Sequence, residues 1–359
     1  MQYDQVTINN LTKKFSDKRD TYNKFAKAIE AVIKKRLLDL KINEFSTKSR
    51  AKDIESFKGK IERKSYVNPL IDITDLAGIR IILCYTDQLK IVEEIIYSEF
   101  IVDPDKSVDK SQLYDPATFG YLSNHYIVSN NKKKQADSKW KDFNNLFAEI
   151  QVRSSLQDSW AMVSHALYKN EKAVPTALFR RLNRIAGLFE LADQEFVEIK
   201  TIIEKYVAEI QQNFDSGNTE TIGINYHSIM EFISRSHEVI EAKNVAKNSG
   251  LLADQNLQQE YYNKIDCQII VEICNLLNIS NLEELDKLLK ENRRNNALFI
   301  KNISSGRIWK FTHSFILFLL ILKAKNGLFP SDFLTKNYGW SSQTANAVIY
   351  EAKKCNSQA

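Results

Sequence analysis

Glycine and proline are scarce in this chain, at 10 and 5 of 359 residues, well under the usual shares of about 7 % and about 5 %. That shortage excludes collagen-like and low-complexity proteins and favours long helices with few elaborate loops. The four cysteines, Cys84, Cys267, Cys274 and Cys355, form no CxxC pair. A structural zinc and a disulfide framework are therefore not expected, and a reduced, cytoplasmic compartment is. Cys267 and Cys274 lie two helical turns apart on one face, as core residues do. The first residues lack a basic segment followed by an apolar run, so no signal peptide is expected. The most apolar stretch, Phe315 to Leu322, is too short to span a bilayer and reads as a buried helix, with no membrane partner. His165, His227, His237 and His313 show no ligand spacing.

What is present describes a globular protein of two ordinary domains, with 43% hydrophobic and 26% charged residues. A net charge of +5 suits a polyanionic ligand without requiring one. From about Leu11 to Leu40, Phe25, Ile29, Val32 and Ile33 share one stripe of a long amphipathic helix. A second helix is expected from about Lys48. The run Ala77 to Tyr85 has the length and apolarity of a central strand covered on both faces. A helix from about Gln88 to Phe100 follows, then strands around Phe100–Val102 and Gly120–Val128. In Ala148 to Arg153, Glu149, Gln151 and Arg153 alternate with apolar residues, a strand period that gives way to helical spacing at Leu156, Trp160, Val163 and Leu167. Beyond the turn-rich segment 213–219 no convincing strand is expected. The predicted organisation is an α+β domain over residues 1–205 and an all-α domain over 206–359.

Four polar clusters fall on these elements. Lys52, Ser56 and Lys60 recur at i, i+4 and i+8, with Arg50 ahead of them. Such a stripe can hold a polyphosphate or form a solvated helix face. Asp75 and Arg80 bracket the start of the central strand, where an aspartate can ligate magnesium and Gly78 lets another backbone approach closely. The same residues suit an ordinary turn. Alternation places Tyr121, Ser123 and His125 on one strand face, fit to stack on a base and bond its ribose or phosphates, or to form a half-exposed edge. Glu149 completes a two-carboxylate magnesium site with Asp75 if their strands are neighbours.

In this order the blocks Ser49-Arg50-Ala-Lys52-Asp-Ile-Glu-Ser56-Phe57, Asp75-Leu-Ala-Gly-Ile-Arg80, Gly120-Tyr-Leu-Ser-Asn-His125 and Glu149-Ile-Gln-Val-Arg153 resemble the synthetase domain of the RelA/SpoT family, over roughly residues 20–200. The resemblance implies a nucleotidyltransferase-like mixed sheet between helices. It also implies transfer of the β,γ-pyrophosphate of ATP to the 3′-hydroxyl of GDP or GTP, the chemistry that makes (p)ppGpp alarmones. Carried over by position, Arg50, Lys52, Ser56, Lys60 and Arg80 hold ATP. Asp75 ligates Mg2+, which Glu149 shares unless it acts as the base. Tyr121, Ser123, His125, Gln151 and Arg153 line the acceptor or phosphate side.

Two positions depart from the family's pattern. The run Tyr114 to Phe119 stands where many members carry a basic residue and an asparagine, and Asp158 stands where a histidine or asparagine is common. An acid there is expected to repel an anionic acceptor. Two alternatives stay open: a toxin-type member that pyrophosphorylates the 3′ end of tRNA, and a non-catalytic nucleotide-sensing regulator. The helical domain is expected to bind a protein partner or to inhibit the first domain intramolecularly. Its Trp340 to Ala347 segment reads as helix and turn, or as the start of a helix-turn-helix.

Overall fold

A computed structural model describes residues 3–109, 123–168, 176–250, 252–253, 258–304 and 310–357. The chain divides into two units, Met1–Thr201 and Ile202–Ala359, and the division falls inside one long helix.

The first unit opens with helix α1 (Gln5–Asp39), whose N-cap Asp4 accepts the Thr7 backbone N–H at 2.7 Å. Phe15, Phe25, Ile29, Ile33 and Leu37 are fully buried along α1, and each such side chain contributes about 1.5–3 kcal/mol by leaving water. There follow β1 (Phe45–Ala51), α2 (Ile54–Arg63), α3 (Pro69–Asp72), β2 (Ala77–Leu83), α4 (Gln88–Glu99), β3 (Phe100–Val102), β4 (Val108–Asp109), β5 (Asn124–Asn130), α5 (Lys132–Ala136), β6 (Ala148–Ser154), α6 (Ser155–Tyr168) and α7 (Thr176–Asp215). The six strands form one mixed sheet in the order β1-β2-β6-β5-β3, with β4 paired to β5. Among the described residues of this sheet only the β2–β6 pair is parallel. The buried sheet face, with Ile79, Ile81, Ile150 and Val152, shares one core with α1.

Three expectations need correction here. The second helix begins at Ile54, capped by Asp53, which accepts the Ser56 N–H at 3.1 Å. Residues 45–51 are a strand, because Thr47 and Ser49 alternate with Lys48 and Arg50 and hydrogen-bond to Glu30 of α1. Lys52 thus precedes the helix, and Arg50 lies on β1. Strand β2 is central but not covered on both faces: Ala77, Ile79, Ile81 and Leu83 are buried while Gly78, Arg80 and Ile82 are half-buried on the other side. Gly78 is not needed for close backbone packing either, since a Cβ there would meet nothing nearer than the Arg50 carbonyl oxygen at 3.9 Å.

The second unit is helical, with α8 (Tyr226–Arg235), α9 (His237–Asn248), α10 (Gln258–Leu276), α11 (Leu282–Glu291), α12 (Asn296–Ser304), α13 (His313–Ala324), α14 (Ser331–Tyr338) and α15 (Ser342–Ser357). A two-residue parallel pair, β7 (Leu252–Ala253) with β8 (Lys310–Phe311), corrects the expectation of no strand. Its brevity explains why no period of two announces it. Residues Ile316 to Leu322 of α13 are all buried, as expected for that apolar run. Among the described residues no helix is long and apolar enough to cross a membrane. Cys267 and Cys274 are fully buried in this core, and desolvation pushes both thiols up to about 12. Trp340, between α14 and α15, packs edge-on to Phe315 at 5.8 Å, so it is core rather than a reading-head residue.

Lys323 is the exception on α13, a lysine only 1% exposed. Its three ammonium protons match three acceptors: Asn292 O at 2.8 Å, Arg294 O at 2.6 Å and Asn296 Oδ1 at 2.8 Å. The buried charge thereby joins the end of α11 to the start of α12.

Candidate active site

Register builds the site. Across β1 and β2, Lys48 faces Arg80 and Arg50 faces Gly78; across β2 and β6, Gly78 faces Glu149 and Arg80 faces Gln151; across β6 and β5, Gln151 faces His125. Partners in register share a sheet face, so four strands present one polar face. A cavity of about 170 Å³ opens there, lined by Arg50, Lys52, Asp75, Arg80, Glu149 and Gln151, together with Lys48, Ser49, Gly78 and Ile79. That is less than the roughly 300 Å³ usual for a whole small ligand, and its lining suits a phosphate chain.

Two carboxylates organise the cavity. Asp75, in the turn before β2, receives Lys52 Nζ on Oδ2 and Lys60 Nζ on Oδ1 at 3.0 Å. Lys60 approaches from α2, so the two lysines of the predicted stripe converge on the acid although only one of them is helical. Glu149 accepts from Gln151 Nε2 at 2.7 Å and Thr74 Oγ1 at 3.4 Å, and its Oε1 lies 3.1 Å from His125 Nδ1. Burial alone would raise its carboxyl pKa. Hydrogen bonds from His125 and Gln151, with the charges of His125 and Lys60, outweigh burial and lower it to about 2.

The network continues along both strands. Ser123 Oγ lies 2.7 Å from His125 Nε2. Arg153, from the same face of β6, donates to Gln151 Oε1 at 3.2 Å and to Asp158 Oδ1 at 3.3 Å. Arg80 NH1 reaches the same Asp158 oxygen at 3.2 Å. Asp158 therefore does not stand as a free acid: the guanidinium groups of Arg80 and Arg153 both pair with its Oδ1.

Arg50, Lys52, Asp75, Arg80, Glu149 and Gln151 thus meet at the cavity, while Lys60, Ser123, His125 and Arg153 join it through hydrogen bonds. Ser56 does not line it: it is an exposed residue of α2. Tyr121 and the Tyr114 to Phe119 run lie outside the described residues. Lys48, Ser49, Thr74 and the bridging role of Asp158 were missed. Lys48 sits two residues from Arg50, a signal visible only once 45–51 is read as a strand.

Among the described residues no group of three or more His, Cys, Asp or Glu could hold a metal. Two carboxylates on one cavity do fit magnesium, which takes one or two carboxylates and completes its shell with phosphate oxygens and water. Both oxygens of Asp75 accept from lysine ammonium groups, so a cation there competes with two positive charges already placed on that carboxylate.

A mixed sheet between helices, one face of which carries basic residues around two carboxylates, defines the first unit as an α+β domain with a polar cavity. Residues 49–173, all within the first unit, match the family model for the region found in RelA / SpoT proteins. The chain is 27% identical over 167 residues to the GTP pyrophosphokinase YjbM of Bacillus subtilis, covering 45% of this chain and 74% of that protein. To the GTP pyrophosphokinase YwaC of the same organism it is 28% identical over 163 residues, covering 44% and 74%. Among solved structures, small alarmone synthetase 1 from Bacillus subtilis aligns with a TM-score of 0.45 at 22% identity, covering 54% of this chain and 99% of that one.

Proposed function

We propose that the protein is an ATP-dependent pyrophosphokinase that transfers the β,γ-pyrophosphate of ATP to the 3′-hydroxyl of GDP or GTP. One observation carries this reading: residues from separate sequence blocks, Arg50 and Lys52, Asp75 and Arg80, Glu149 and Gln151, line a single cavity. The two relatives named as GTP pyrophosphokinases support the same chemistry.

In this reading Arg50, Lys52, Lys60 and Arg80 bind the ATP phosphates by charge-assisted hydrogen bonds. Asp75 and Glu149 hold Mg2+, which supplies charge neutralisation for the transferred group. When the phosphates arrive, the lysines exchange Asp75 for phosphate oxygens. Glu149, with a carboxyl at about 2, stays ionised at neutral pH. Such a weak base suits a cation ligand better than a general base, whose pKa works best near the operating pH. His125, Gln151 and Arg153 line the acceptor side, and positioning with charge neutralisation does most of the work, as in phosphoryl transfer generally.

The test offers the full-length protein ATP and magnesium with GDP, GTP or deacylated tRNA and follows labelled pyrophosphate. Transfer to the guanosine nucleotides is expected. Label appearing only on the 3′ end of tRNA would replace the acceptor, and no transfer to any acceptor would leave a nucleotide-binding regulator.

A further inference from the structure

The two arginines of the site share one carboxylate oxygen. Arg80 NH1 on β2 and Arg153 NH1 on β6 lie 3.2 Å and 3.3 Å from Asp158 Oδ1, and Asp158 sits in the first turn of α6. An acid is favourable there because of the helix dipole. Its side chain is 17% exposed and that of Arg153 11% exposed, so the contact is only weakly screened. The arginines also oppose each other: burial and the charge of Arg80 both lower the pKa of Arg153, and Asp158 counters them. Among the described residues Arg153 Nε is buried without a hydrogen-bond partner, so they do not use this guanidinium's full bonding capacity.

We propose that Asp158 is a specificity-determining residue that ties the ATP-side Arg80 to the acceptor-side Arg153 and limits the positive charge offered to the acceptor's phosphates. With Asp158 ionised, the arginine pair presents one net positive charge instead of two. An acceptor with a longer phosphate chain has to share Arg153 with an internal anion, and it gains less from each added phosphate than it would at an uncompensated pair. The inference rests on the pyrophosphokinase reading for its acceptor, but its electrostatics can be measured without turnover.

The experiment compares the wild-type protein with Asp158→Asn and Asp158→Glu, using GMP, GDP and GTP as acceptors at saturating ATP and magnesium. Removing one charge about 12 Å from an acceptor phosphate, at an effective dielectric of ~20, is worth on the order of tenfold in affinity. Asp158→Asn is therefore expected to raise kcat/KM for GTP relative to GMP by about tenfold at saturating ATP, largely through KM for the acceptor. Asp158→Glu, which keeps the charge, is expected to return the ratio to the wild-type value. A folded Asp158→Asn with an unchanged GTP-to-GMP ratio would overturn the proposal. So would an equal rise for all three acceptors, or a change confined to KM for ATP.

If neither protein transfers pyrophosphate to any guanosine nucleotide, the pyrophosphokinase reading fails. The inference is then judged by calorimetric titration of GMP and GTP: a selective tightening for GTP in Asp158→Asn supports it, and equal affinities sink it. Should Asp158→Asn not fold, Asp158→Glu and the wild-type protein are titrated against inorganic pyrophosphate at rising salt. Weak binding with the same salt slope in both supports the retained internal anion, while tight binding by either overturns it.

Discussion

His125 Nδ1 stands 3.1 Å from Glu149 Oε1, joining β5 to β6 at the acidic wall of the cavity. The contact, with the Gln151 amide at 2.7 Å, keeps a half-buried carboxylate ionised and aimed along the polar face. Glu149→Gln keeps the shape but removes the charge. Pyrophosphate transfer should drop about 10²–10⁴-fold, the range for losing one charged or proton-handling group from a phosphoryl-type site. Nucleotide binding, followed by calorimetry without magnesium, should persist.

Acid should weaken the fold through the same residue. Because the Glu149 carboxyl lies near 2 in the folded chain against an ordinary value of 4.5, its contribution is complete above pH 4.5. It is lost as pH falls toward 2. The shift corresponds to about 3 kcal/mol. Urea denaturation between neutral and acid pH should show a steeper loss in the wild type than in Glu149→Gln; parallel curves would contradict it.

Lys52 and Lys60 both neutralise Asp75, so each alone leaves the acid partly compensated. Lys52→Met and Lys60→Met should each raise KM for ATP by about tenfold, the worth of one charge-assisted contact. The double variant should fall short of or exceed the product of the two, because they share a partner. Strict additivity in steady-state kinetics would argue against a common carboxylate.

Gly78 lines the cavity and is the register partner of Arg50 on β1 and of Glu149 on β6. Since an added Cβ meets only the Arg50 carbonyl at 3.9 Å, Gly78→Val should fold with a melting temperature close to wild type. Its branched side chain would fill cavity space beside Arg50 and Glu149, and the proposed pyrophosphate transfer should be lost while circular dichroism stays unchanged.

In the second unit, Lys323→Met fits by volume but strands Asn292 O, Arg294 O and Asn296 Oδ1 without their donor. Removing one partner of a buried charged network typically costs about 2–4 kcal/mol. A lowered transition midpoint, read by calorimetry, should accompany unchanged nucleotide binding.

The sequence by itself determined the elements with strong periodicity and most of the residue types that line the cavity. The stripe of Phe25, Ile29 and Ile33 announced α1, the alternation from Glu149 to Arg153 announced β6, and the apolar Phe315 to Leu322 run announced the buried α13. Local pattern reveals these because burial on one face repeats at the period of the element. It could not reveal that residues 45–51 form a strand, since Lys48 and Arg50 belong to a polar edge whose period shows only when β2 pairs with it. Nor could it show that Lys52 and Lys60, separated by a helix start, meet on Asp75, or that Asp158 joins Arg80 to Arg153. Those contacts depend on strand register and on where α6 leaves the sheet, and both are set by the packing of distant residues against a common core.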